Sequence, residues 1–443
     1  MKILVRGLAV LVLAMFLGEC AEFLINMILA RELGESGIGQ YMTILPSIFL
    51  IMLLASFELP ASVSKLVAEK EKRYHRSLIK HAFRMTIIFT ACLFAVAAAV
   101  IPFVPLFQNF HPMLKYVVLL LIPLVSFSSI ARGYFMGKEH MGKIAVSHLL
   151  RRIVQMLLLA SIYQVLEFDR PTALLIAFCT LAASEVAVFL YLIYSFIVSY
   201  QEIKRMPGEN MSPVVVRRSL AAVSIPTTAL RIFHALAHAA QPFLIKWALV
   251  QAGVPAEMAT EQFGMVAGVA MTIGTFPAFI AHSFMIMLIP AVAKLHAGAE
   301  SSKLFQLLQQ VMLLTLIYGL PSVTVFYFLA EPLTNLFFHS NHSAYYLQLL
   351  WPYFLLHYFI IPMQAFLIGL GLIKDAFFHT FWSTVVSFVV IYLLGARLEW
   401  EMPGVIIGMN AGTVLLAMLH YMTICKKIGV PWTLRLSEKR SSL

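Results

Sequence analysis

Aspartate is nearly absent from this chain: Asp169 and Asp375 are the only two in 443 residues. No D-x-D pair can therefore hold the metal of a sugar-nucleotide transferase, and no Walker phosphate loop or G-x-S-x-G nucleophile elbow is present. The chain reads as a non-enzyme with no metal, and with no cofactor beyond a coupling H⁺ or Na⁺. Cysteine is equally sparse. Cys20, Cys92, Cys179 and Cys425 lie far apart without paired spacing, so neither a disulfide framework nor a zinc site is expected. Charge of either sign is scarce as well: 12% of residues are charged against 61% hydrophobic, and mean hydropathy is +0.87. A water-soluble domain of this length does not carry that balance.

What the chain has instead is long apolar runs. A hydrocarbon core about 30 Å thick takes roughly 20 apolar residues per helix, and twelve such stretches centre on 7–30, 41–64, 84–106, 113–136, 145–167, 172–198, 219–248, 264–293, 305–330, 345–371, 376–396 and 403–424. The opening "MKILVRGLAVLVLAMFLGEC" imitates a cleaved secretory signal. Glu19 occupies the place where cleavage needs a small residue, and the apolar pattern runs on to Leu29, so the stretch is expected to stay as a span.

The net charge of +11 invites a nucleic-acid reading, which its distribution excludes. With the N-terminus and every second connection on the cytoplasmic side, 26 of the 32 Lys and Arg fall there. Arg31, Lys115, Arg170, Lys246 and Arg397 lie opposite, and Arg231 belongs to neither face. That bias satisfies the positive-inside rule for both termini in the cytoplasm and an even number of spans. The basic residues then meet anionic lipid heads.

Two stretches recur at nearly constant offset. "PASVSKLVAE" from Pro60 matches "PAVAKLHAGAE" from Pro290, and "YFMGKEHMGKIAVSH" from Tyr134 can be laid over "FLIGLGLIKDAFFHT" from Phe366, at offsets of 230 and 232. The expected architecture is an all-α polytopic membrane protein of twelve transmembrane helices in two six-helix bundles. A pseudo-two-fold along the membrane normal would relate the bundles. The expected division is 1–200 for the first bundle, 201–216 for a cytoplasmic linker, 217–428 for the second bundle and 429–443 for a cytoplasmic tail. Two such bundles can rock about a substrate held near the midplane; a duplicated scaffold without transport is the plainer alternative.

Ionisable residues inside spans mark the candidate site, because each is unfavourable by about 3 kcal/mol at mid-membrane. Glu19, Glu22 and Asn26 follow i, i+3, i+7 spacing and share one face of the first helix. Arg231, His234 and His238 repeat that spacing at the start of the second half. Glu19 is 13 residues beyond Arg6 and Arg231 is 13 beyond Arg218, so opposite charges are expected at comparable depth, about 20 Å in. Either Arg231 offers a cation to an anionic head group while Glu19 and Glu22 exchange a proton or cation, or a Glu–Arg tie pins the bundles together. Glu58 and Glu185 either line the cavity or pair locally. Arg84, Arg132, Arg151 and Arg152 either snorkel to lipid phosphate or form a basic vestibule for a pyrophosphate, which suits the guanidinium fork. His234 and His238 lack the further ligands of a metal set and read as cavity-lining groups.

Two stretches carry a family likeness. "ARELGESGIGQYMTILPSIFLIMLLASFELPASVSKLVAE", Ala30 to Glu69, holds an A-R-x-L-G run, a G-x-G-x-Y run and the P-A-x-V-S-K-like tail. "ARGYFMGKEHMGKIAVSHLLRRIVQ", Ala131 to Gln155, holds G-Y-F-x-G. On these the chain resembles the stage V sporulation protein B and polysaccharide-transport branch of the MOP flippase superfamily, and its length resembles the smaller YkvU-like sporulation-associated members. The resemblance implies a V-shaped, alternating-access transporter in the bacterial cytoplasmic membrane that moves undecaprenyl-pyrophosphate-linked saccharides for wall or spore-cortex assembly. It also implies cell-wall synthesis proteins as partners. Cousins in the multidrug branch exchange organic cations for Na⁺ or H⁺, which supplies a second reading, and a non-transporting envelope-assembly protein is a third. Where the family continues to an acidic-amide pair and then an arginine, this chain has Arg151, Arg152 and Gln155, a reversal of local charge. A monomer is expected.

Overall fold

Long apolar runs in a medium without water must satisfy every backbone N–H and C=O internally, and helices do so within one segment. The computed structural model describes residues 2–104, 107, 110–204, 209 and 212–429, and all regular structure among them is helical. The expected linker at 201–216 lies partly outside the described residues, and the expected tail lies outside them beyond Gly429. The chain forms two compact units, Met1–Ala240 and Gln241–Leu443.

The first unit comprises α1 (Lys2–Ser56), α2 (Leu59–Glu69), α3 (Lys72–Val100), α4 (Leu114–Gly137), α5 (Met141–Val165), α6 (Arg170–Lys204) and the greater part of α7 (Pro213–Gln251). The second holds the end of α7, then α8 (Ala256–Gly264), a wider π-type turn at Met265–Ala270, α9 (Met271–Thr275), α10 (Ala278–Ala297) and α11 (Ser301–Phe328). It continues with α12 (Ala330–Phe338), α13 (Ser343–Leu349), α14 (Trp351–Gly369), α15 (Ile373–Gly395) and α16 (Glu401–Ile428). Among the described residues nine helical stretches are long and apolar enough to cross a bilayer, or ten when the pair Ala256–Thr275 and Ala278–Met285, bent by 60°, is one crossing. One of them, Met15–Glu69, is divided by Gly34 at φ 67° and ψ 180°, backbone that only glycine adopts readily. With α7 as a further 39-residue helix, the protein is an all-α polytopic membrane protein consistent with twelve spans.

Two places show how sequence breaks a span. Pro60 removes a backbone donor and crowds the preceding turn, and the chain before it passes through left-handed conformations at Phe57 (φ 45°) and Glu58 (φ 47°) before α2 begins. The Ser126 hydroxyl of α4 donates to the Ala55 carbonyl at 2.8 Å, an acceptor that the break leaves outside the helical ladder. In the second unit Pro277 separates α9 from α10, and there the Tyr358 hydroxyl of α14 donates to the Gly274 carbonyl. Both bends are thus stitched by the helix packed behind them.

The repeated motifs turn out to be packing partners. A Cβ on Gly133 would stand 2.9 Å from Val63 Cβ and 3.1 Å from the Leu59 carbonyl oxygen, so α4 meets α2 backbone to backbone. A Cβ on Gly369 would stand 2.7 Å from Val292 Cβ and 2.9 Å from the Ile289 carbonyl oxygen, the same relation between α14 and α10. Gly137, which the overlay of Tyr134 on Phe366 sets on Gly369, makes such a contact as well: a Cβ there would stand 2.6 Å from the Ser64 carbonyl oxygen and 2.7 Å from Val67 Cβ. Around the first contact lies a core of Leu59, Val63, Leu78, Ile130, Tyr134 and Leu192. Around the second lies one of Val292, Leu308, Phe366, Leu367 and Ile424. In α16, Gly404, Gly408 and Gly412 lie against α15 at Leu394, Ile391 and Ser383, with Cβ clearances of 2.7, 2.7 and 3.0 Å to its backbone. This is the small-residue seam by which membrane helices approach closely.

Candidate functional site

The ionisable residues of the first unit are joined across helices. Glu19 and Glu22, one turn apart on α1, both reach Arg152 of α5: Nη1 meets Glu19 Oε1 at 3.1 Å and Nε meets Glu22 Oε2 at 3.2 Å. Gly18 leaves room for this guanidinium, since a Cβ there would lie 2.9 Å from Arg152 Nη1. Arg151, the neighbour of Arg152, points elsewhere and meets Glu185 of α6 at 3.3 Å. Glu185 is buried at 5% side-chain exposure, and both Arg132 of α4 and Arg151 lie in its electrostatic reach. Arg132 Nε is itself buried and has no hydrogen-bond partner among the described residues. Three arginines and three glutamates from four helices thus form one balanced cluster, with His148 of α5 within reach of Arg132, Arg151 and Arg152.

This arrangement redraws the expected vestibule. Arg151 and Arg152 are bound to carboxylates, and the charge reversal at 151–155 is answered by Glu19 and Glu22 from α1 and Glu185 from α6. Arg84 is exposed on α3 and has no carboxylate partner among the described residues. The shared face of Glu19 and Glu22 was legible from spacing; which neighbouring helix would supply the partner was not.

A second tie forms at the break before α2. Arg231 Nη1 of α7 donates to Glu58 Oε1 at 2.5 Å. Arg231 therefore meets Glu58, where helix spacing alone set it against Glu19 and Glu22. Glu58 is only 9% exposed at its side chain, whereas Arg231 is 63% exposed. One edge of the guanidinium is held, and the rest remains open to a ligand. Ser224, two turns earlier on α7, is hydrogen-bonded to Ser62 of α2 at 2.9 Å, so α7 meets both the break and the helix that follows it. His234 lies in electrostatic reach of Arg231 and His238, with His234 half-buried and His238 exposed. Asn26 is half-buried one turn beyond Glu22. Among the described residues no group of three or more His, Cys, Asp or Glu is placed to hold a metal ion.

Tyr41 joins the cluster without having been singled out by charge. It is 2% exposed, stacks on Phe178 of α6 at 4.7 Å between ring centroids, and is hydrogen-bonded to the buried Gln155 of α5. Its signal in the sequence is the tyrosine of the G-x-G-x-Y run, which fixes α1 to α5 and α6 next to the Arg152 clamp.

Comparison with known proteins agrees with this anatomy. Residues 4–254 match the family described as polysaccharide biosynthesis protein. Sporulation protein YkvU of Bacillus subtilis (strain 168) is 50% identical over 426 residues, covering 96% of each chain. Stage V sporulation protein B of the same organism is 30% identical over 446 residues, covering 96% of this chain and 84% of its own. Among solved structures, an inward-facing multidrug-resistance MATE family transporter of the MOP superfamily superposes with TM-score 0.73 at 15% identity, covering 93% of this chain and 94% of that one. A MOP superfamily transporter from Pyrococcus furiosus superposes with TM-score 0.65 at 15% identity, covering 96% of both. These last two show a shared fold, that of a multi-pass membrane transporter. The chain belongs to the polysaccharide biosynthesis protein family, alongside stage V sporulation protein B and sporulation protein YkvU.

Proposed function

We propose that this protein is an alternating-access flippase of an undecaprenyl-pyrophosphate-linked saccharide, serving cell-wall or spore-cortex assembly. It would act in the bacterial cytoplasmic membrane with both termini in the cytoplasm. The observation that carries the reading is the Arg231–Glu58 pair: a guanidinium fixed by a buried carboxylate at a broken helix, with most of its surface exposed. A pyrophosphate would engage the free edge of Arg231 through charge-assisted hydrogen bonds and weaken its hold on Glu58, biasing the one segment of the second span that is not helical. Arg132, with a buried Nε that has no hydrogen-bond partner among the described residues, is a second candidate cation. Glu19 and Glu22 around Arg152 form an anionic trio of net charge −1 that could take up a coupling H⁺ or Na⁺ when the substrate leaves. Membership in the family, and the names of the relatives, support a lipid-linked saccharide as cargo.

A second reading has its own observation. Glu19 and Glu22 are 35% and 43% exposed at their side chains, and two carboxylates outnumber the one guanidinium between them. An organic cation could displace Arg152, as a multidrug antiporter requires. Liposomes loaded with a fluorescent lipid-linked saccharide separate the two. A flippase loses translocation in Arg231→Ala and retains substrate binding in Glu19→Gln. An antiporter loses cation binding in Glu19→Gln and tolerates Arg231→Ala.

A further inference from the structure

A cleft of about 440 Å³ opens in the first unit, away from the charged cluster. One wall is a single face of α3, with His81, Arg84, Met85, Ile88, Phe89 and Cys92 at helical spacing; the other is a face of α7, with Pro213, Arg217 and Ala221 at i, i+4, i+8. The polarity of this cleft is graded. His81, Arg84 and Arg217 stand towards the start of both helices, and Ile88, Phe89, Cys92 and the adjoining Phe57 follow further in. No carboxylate lines it, and neither arginine has a salt-bridge partner among the described residues. The start of the two helices is a fixed point. Arg73 of α3 is paired with Glu209 at 2.8 Å, just ahead of α7, so α3 and α7 set out side by side, and the N-terminal end of the 39-residue α7 adds its dipole to the basic end.

From these features we infer that the α3–α7 cleft is a binding site for one anionic phosphoglyceride of the bilayer. Its phosphate lies between Arg84 and Arg217, and an acyl chain lies along Ile88, Phe89 and Cys92 towards Phe57. Length favours this occupant over a longer polyprenyl carrier. From His81 to Cys92 the α3 face advances about 16 Å, close to the depth of one leaflet of a hydrocarbon core about 30 Å thick. Charge favours an anionic head over a zwitterionic one, because a compensating choline would meet two guanidinium groups and no carboxylate. The bound lipid would hold the beginning of α7 against α3 and so steady the helix that carries Arg231. The site does not depend on what the protein transports.

The test uses the full chain, purified in detergent and titrated with dioleoyl phosphatidylglycerol, dioleoyl phosphatidylcholine or undecaprenyl phosphate. Thermal midpoint and the alkylation rate of Cys92, which is exposed, are both followed. Phosphatidylglycerol should raise the midpoint by a few degrees and slow Cys92 alkylation, while phosphatidylcholine does neither. The double variant Arg84→Gln, Arg217→Gln should weaken the phosphatidylglycerol effect at least about tenfold. Ile88→Trp, which fills the apolar end and leaves the charges in place, should weaken it too. Equal protection by phosphatidylcholine overturns the proposal. So does stronger protection by undecaprenyl phosphate, which assigns the cleft to a carrier lipid, or an undiminished phosphatidylglycerol effect in Ile88→Trp.

Discussion

Arg231 and Glu58 are 173 residues apart in sequence and 2.5 Å apart in space, and the two ends of the contact are unequal. The carboxylate is buried in a left-handed turn, and the guanidinium is largely exposed. Removing the arginine strands a buried acceptor, whereas neutralising the glutamate leaves a cation that its surroundings can solvate. Arg231→Ala should therefore destabilise the protein by about 1–3 kcal/mol and Glu58→Gln by less. Equal losses in thermal denaturation of the two variants would contradict this asymmetry.

The Arg152 clamp predicts a rescue. Arg152→Ala leaves Glu19 and Glu22 facing each other one turn apart without their shared cation, so folding yield and thermal midpoint should fall. Adding Glu19→Gln and Glu22→Gln to that variant removes the stranded charge and should restore most of the loss. A triple variant no more stable than Arg152→Ala would show that the clamp does not set the charge balance of this region.

Close approach of backbones predicts opposite outcomes for two glycines only nine positions apart. Gly133→Ala drives a Cβ to 3.0 Å from Pro60 Cα and 3.1 Å from the Leu59 carbonyl oxygen, so α4 and α2 must separate, at a cost of about 1–3 kcal/mol. Gly142, in the first turn of α5, has nothing within 4 Å of such a Cβ, and Gly142→Ala should be neutral or stabilising by about 0.5–1 kcal/mol. Thermal midpoints of the two purified variants compare them directly; a tolerant Gly133→Ala would mean that α2 and α4 are less tightly joined than described.

Spans and motif stretches were legible because they are properties of one segment. Apolar length marks a helix, and i, i+3, i+7 spacing puts Glu19, Glu22 and Asn26 on a common face whatever surrounds them. The partner of each charge is a property of two segments. Nothing within residues 141–165 says that Arg151 turns to α6 while Arg152 turns to α1, and nothing near Glu58 names α7. The P-A-x-V-S-K and G-Y-F-x-G stretches illustrate the same divide: each was visible alone, and only the structure makes Gly133 the surface on which Val63 rests. The glycines at 404, 408 and 412 put a small residue at every fourth position of α16, yet that spacing does not name α15 as the helix they meet; the contacts with Leu394, Ile391 and Ser383 do.

Transport itself is tested most directly in sealed liposomes that hold the intact protein and a fluorescent undecaprenyl-pyrophosphate-linked saccharide, with label accessibility in the outer leaflet as the readout. Wild type should equilibrate the label between leaflets, and Arg231→Lys should retain part of that rate because the charge remains while the bidentate fork is lost. Arg231→Ala should fall to the rate of protein-free liposomes. An Arg231→Ala protein that is folded and equilibrates the label as fast as wild type would contradict the assignment of this arginine as the anion site.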